Sequence, residues 1–134
     1  MPTPLQLIPA LLGIPPPSEG LSGWHQRVAD GFPDLALETL SRHTGLKPRE
    51  LTTALQSERL TKMRPLSPEA SSGLFRTALV WVALQDLFPG APAKATAWLR
   101  QPHGPLRGRV PLTLLATSLG FDYVMAAISR QALA

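Results

Sequence analysis

From Leu21 onward the apolar residues return every three to four positions, and nowhere do they alternate with period two over a useful length. That spacing suits one face of an α-helix and excludes half-buried strands, so the expected fold class is all-α. The helices are cut short by proline, which fills 15 of the 134 positions. Pro48, Pro68, Pro92 and Pro111 each stand where a helix is expected to begin. At that position the ring pre-sets φ, and the missing N–H would have had no partner in any case. A 134-residue chain that is 44% hydrophobic is long enough to bury a core, as one domain or two very small ones.

Three segments follow from the pattern. Residues 1–20, "MPTPLQLIPALLGIPPPSEG", are Pro-rich and carry one charge, Glu19; they read as an irregular arm with at most a short turn around Leu5–Leu12. Residues 21–66 read as a helix-turn-helix region. Leu37 and Leu40 give one helical face, Gly45 supplies the left-handed stop, and Pro48 opens a second helix with Leu51 and Leu55 inward. The offsets of Ser41, Gly45 and Leu51 fit the turn of such a motif. Residues 67–134 read as a small helical domain, expected to fold and bind without the first part. It opens with Ser67 as N-cap and a central helix carrying Leu74, Phe75, Ala78, Leu79, Trp81 and Val82. A helix from Pro92 follows, then a short one from Pro111 through Ser118, a break at Gly120, and a last helix from about Phe121.

The net charge of +4 permits an anionic partner without requiring one. Between Arg42 and Arg64 six Lys or Arg face two Glu, which makes Arg49, Arg59, Lys62 and Arg64 candidates for DNA phosphates. Zero Cys removes disulfides and thiolate metal sites. His25, His43 and His103 are scattered, no HExxH or glycine-rich phosphate loop occurs, and the carboxylates are unpaired in sequence. No catalytic residue, cofactor or metal is therefore expected. The longest apolar run, Thr77–Leu84, is far short of the roughly 20 residues that span a bilayer. Met1–Gly20 contains no Lys or Arg, unlike the start of a signal peptide. A cytoplasmic protein without membrane contact is the expectation.

The stretch "AWLRQPHGPLRGRVPL", Ala97–Leu112, places three prolines, two glycines and three arginines between apolar segments, with no carboxylate to pair with. Trp98 and Leu99 read as core. The prolines and glycines fix the backbone, so Arg100, Arg107 and Arg109 are presented with little entropy left to lose, which favours an acidic or phosphate-bearing surface.

With its flanks, "LSPEASSGLFRTA…ALQDLFPG…KATAWLRQPHGPLRGRVPLTLLATSLGFDYV" resembles the bacterial antitoxins of the Xre/MbcA/ParS group. Their toxin-binding domain typically reads W-L-x-x-P-N-x-x-L-G-G-x-x-P-L-x-L-L-x-T-x-x-G-x-x-x-V. Trp98, Leu99, Pro102, Leu106, Gly108, Pro111, Leu112, Leu114, Leu115, Thr117, Gly120 and Val124 stand at the matching positions. His103 replaces the usual Asn, and Arg107 the first of two glycines. The resemblance implies a homodimeric antitoxin that neutralises a cognate toxin and represses its own operon. The usual toxin is a RES-domain enzyme that consumes NAD or uses it to modify a target. It also implies a toxin-facing surface made of Arg100, His103, Arg107 and Arg109 with Arg130, Gln131 and Leu133 near the C-terminus. A second reading is an operator-binding autorepressor with no surviving toxin, and the adjacent reading frame discriminates the two.

Overall fold

The computed structural model of the chain describes residues 3–54 and 65–133. Among them lie eight α-helices: α1 (Pro4–Leu12), α2 (Leu21–Asp30), α3 (Leu35–Thr44), α4 (Pro48–Ala54), α5 (Pro68–Leu87), α6 (Pro92–Arg100), α7 (Pro111–Leu114) and α8 (Ser118–Leu133). One 3-10 turn, Gly104–Leu106, separates α6 from α7. The described residues contain no strand beyond a single bridge between His103 and Arg109. The fold is all-α.

The N-terminal arm corrects the sequence expectation, because nine of its residues form α1. The Thr3 N–H donates to the Gln6 side chain at 2.7 Å, Pro4 opens the helix, and Gly13 ends it at φ 64°. Ile8 and Leu12, one turn apart, are fully buried, and the helix packs on α3 and α5. Pro9 sits inside this helix, where proline costs roughly 3 kcal/mol, but fully burying two aliphatic side chains gains about 1.5–3 kcal/mol each. Proline content outweighed that two-residue signal in the sequence.

Helices α3 and α4 meet at a three-residue turn. Gly45 adopts φ 75° and its N–H donates to the Ser41 carbonyl at 3.0 Å, while the Ser41 hydroxyl donates to the Leu46 carbonyl at 2.5 Å. Leu46 and Leu51 are fully buried beneath the turn. Leu55 lies outside the described residues.

Helix α5 is the centre. Its Ser67 N-cap accepts the Ala70 N–H at 3.1 Å, as its position before Pro68 and Glu69 predicts. It packs against α1, α2 and α3 and also against α6 and α8. The Ser71 hydroxyl accepts the buried Phe32 N–H at 2.8 Å, and Phe75 packs on Trp24 with ring centroids 5.3 Å apart. A helix with neighbours on both flanks has apolar residues all round, which explains why its apolar positions exceed one stripe.

The C-terminal pair differs from the expected one. Helix α7 stops at Leu114, and Gly120 lies inside α8 rather than breaking it. Thr117 is the cap: its hydroxyl accepts the Gly120 N–H and its carbonyl the Phe121 N–H, each at 3.0 Å. A Cβ on Gly120 would stand 1.9 Å from the Leu114 carbonyl oxygen, so the glycine is required by close approach and not by a turn. The helical spacing predicts Tyr123, Val124, Ala127 and Ile128 inward; the last three are buried and Tyr123 is half-buried. Among the described residues no helix is long and apolar enough to cross a membrane.

Candidate functional site

The candidate site begins where α6 ends. Trp98 and Leu99 are buried there, so the chain leaves the core at a fixed point. The His103 ring stacks on Trp98, with centroids 4.6 Å apart and planes 25° off parallel, and its Nε2 donates to the Trp98 carbonyl at 2.9 Å. The His103 carbonyl in turn accepts from the Leu106 N–H at 3.0 Å and the Gly108 N–H at 2.8 Å. Its own N–H reaches the Arg109 carbonyl at 3.3 Å and closes the loop. Histidine in place of asparagine thus adds an aromatic face stacked on Trp98.

Leu106, fully buried, pins the middle of the loop to the core, and the Tyr123 hydroxyl on α8 donates to the Pro105 carbonyl at 3.1 Å. Arg107 occupies the left-handed region at φ 56°, ψ 40°, and among the described residues no other non-glycine has positive φ. The backbone keeps a path suited to glycine while presenting a guanidinium. Arg107 and Arg109 are both exposed. With its backbone held at α6, at the core and at α8, this short loop presents two cations on a fixed frame.

Arg100 behaves differently from the expectation of an unpaired cation. Its guanidinium donates to both oxygens of Glu50, at 2.8 and 2.7 Å, and to the Gly45 carbonyl at 3.0 Å. The side-chain bond from Arg100 holds the Glu50 carboxyl below the usual carboxylate range, assisted by the Lys47 N–H. Folding supplies the carboxylate that the local sequence lacks. Arg100 therefore joins the end of α6 to the α3–α4 turn.

Gln131 is also engaged, its side-chain oxygen accepting the Trp98 indole N–H at 3.1 Å. Arg130 beside it is exposed, and the Leu133 side chain lies outside the described residues. Of the DNA candidates, Arg49 is exposed on α4; Arg59, Lys62 and Arg64 lie outside the described residues.

Arg76 on α5 was not singled out by the sequence. It donates to the carbonyls of Leu115 and Ala116, at 2.9 and 3.0 Å, and to the Ser72 hydroxyl at 2.7 Å. Those carbonyls lie just beyond α7, where helix-end acceptors lack partners, so Arg76 fixes the exit of α7. Burial pushes its pKa down from the ordinary arginine value. An arginine on an otherwise apolar helix face was the available signal, but its acceptors lie 39 and 40 residues away.

The helical scaffold thus carries a braced loop with two exposed cations between α6 and α7. Residues 83–132, which hold the end of α5, α6, the loop, α7 and nearly all of α8, match the model of the antitoxin Xre/MbcA/ParS C-terminal toxin-binding domain. That match supports an antitoxin role with a toxin as partner. No curated protein gives a significant match to the chain.

Proposed function

We propose that the chain neutralises a RES-type, NAD-dependent toxin by covering its active site, and that Arg107 and Arg109 make the central polar contacts. The observation that carries this reading is the presence of two exposed cations on a hydrogen-bonded loop inside the toxin-binding domain. A site that handles an anionic dinucleotide attracts guanidinium groups, and a pre-ordered loop loses little entropy on docking. His103 and Gln131 act in this reading by holding the loop and the end of α8 in place. Arg130, exposed, is the candidate for direct contact at that end, with Leu133 three residues on in the sequence. Arg100 contributes through the position it imposes on α6.

Operator binding and autoregulation as a homodimer are the second part of the proposal. Arg49 on α4 has the exposure a phosphate contact needs, and Arg59, Lys62 and Arg64 add three cations in the sequence that follows. The autorepressor without a toxin remains the competing reading. Co-expression with the product of the adjacent reading frame tests the first part. Rescue of growth and co-purification are expected; failure of both, with the chain folded and expressed, contradicts it.

A further inference from the structure

A cleft of about 630 Å³ lies between α4 and α7. Ala54, Val110 and Leu112 provide an apolar floor, and Lys47, Arg49 and Arg100 provide cations around it. Glu50 is the one carboxylate among the lining residues, and both its oxygens are already taken by Arg100. Among the described residues, Lys47 and Arg49 thus face a cleft with no free carboxylate lining it.

We infer that this cleft receives an apolar segment of the partner toxin flanked by carboxylates. The inference rests on the antitoxin reading above and adds a second contact surface to it. Complementarity selects the occupant. A DNA phosphate at Arg49, as in the operator-binding reading, touches only the rim and leaves the apolar floor of Val110 and Leu112 for another occupant. A second copy of this chain carries the same net +4 charge. The chain's own residues 55–64 hold Arg59, Lys62 and Arg64 against Glu58 and so carry net positive charge, which is the sign of the rim. An apolar segment with flanking Asp or Glu matches both floor and rim, and peptide segments commonly dock in this way, with anchors below and charges at the edge.

Photo-crosslinking in the full chain tests this. A benzophenone amino acid replaces Thr53 or Thr113, both exposed at the cleft, and the variant is irradiated in complex with the product of the adjacent reading frame. The expected result is a crosslink to a toxin peptide whose apolar residues are bracketed by carboxylates. A complex that forms but crosslinks only to residues 55–64, to a second copy or to nothing overturns the inference and leaves the antitoxin reading intact. If no complex forms, both fall. A bulky Thr113→Trp substitution gives an independent readout: toxin affinity falls roughly tenfold while affinity for operator DNA is unchanged. Should that variant not fold, Lys47→Glu with Arg49→Glu takes its place, with the same loss of toxin affinity that shrinks as salt rises. Unchanged toxin affinity in the folded variant overturns the inference.

Discussion

Arg100 and Glu50, fifty residues apart, meet in a two-pronged ion pair at 2.7 and 2.8 Å, and Arg100 also holds the Gly45 carbonyl at 3.0 Å. The contact links the last residue of α6, just before the cationic loop, to the turn between α3 and α4. Both side chains are substantially exposed, 41% and 31%, so solvent screening keeps the energy small.

Glu50→Gln is expected to lower stability by less than about 1 kcal/mol, as for other exposed pairs. The sign with pH follows from the lowered carboxyl pKa of the folded state. The pair's contribution is fully present above the unfolded glutamate value of about 4.3 and is lost as pH falls through the lower folded value. Urea titrations of wild type and variant at a series of pH values check this. Their difference should vanish in acid; a difference that grows there would contradict the pairing.

Gly120→Ala is expected to cost about 3 kcal/mol, in the range of overpacking a fixed backbone contact, because the new Cβ would meet the Leu114 carbonyl oxygen at 1.9 Å. Gly104→Ala is the control. Nothing lies within 4 Å of a Cβ there and φ is not positive, so its effect should stay within about 0.5 kcal/mol. Thermal unfolding of the two variants distinguishes close approach from a general intolerance of substitution.

Arg107→Gly should separate stability from recognition. Relieving a left-handed arginine, a conformation that costs an L-residue about 1–2 kcal/mol, is partly offset by the greater freedom of glycine in the unfolded chain. A net gain of roughly 0.5 kcal/mol is expected, together with weaker toxin binding. Calorimetry on both properties gives the answer, and a variant that is less stable and binds as well would contradict the assigned role.

These positions also show what the sequence could reveal. Caps and turns are local, so Ser67, Gly45 and the prolines at 48, 68, 92 and 111 located the helix starts and stops directly. At residues 103–109 the turn was legible, since Pro105 sits in the 3-10 turn and Gly108 adopts φ 75°. Gly120 was misread because a glycine needed for close approach looks the same in sequence as one that ends a helix. Helix α1 was hidden by its prolines, and its stability comes from burial against α3 and α5. Arg100 and Arg76 find partners 39 to 55 residues away, which no local pattern encodes.

The packing of α5 on the first part of the chain bears on the expectation that residues 67–134 fold alone. Ser71 and Phe75 contact Phe32 and Trp24, so removing the first 66 residues uncovers a buried face of the central helix. The fragment is expected to retain helical circular dichroism but to bind a hydrophobic dye and to lose its sharp thermal transition. A cooperative transition near that of the full chain would show that the C-terminal part is autonomous.

Stoichiometric inhibition of the NAD turnover proposed for the partner toxin, measured with wild type and with Arg107→Glu combined with Arg109→Glu, tests the central claim most directly. The account predicts complete inhibition at saturating wild type and at least about a hundredfold higher concentration for the folded double variant, since two attractive contacts become repulsive. Equal inhibition by both proteins, or a stable wild-type complex in which NAD turnover continues, would contradict it.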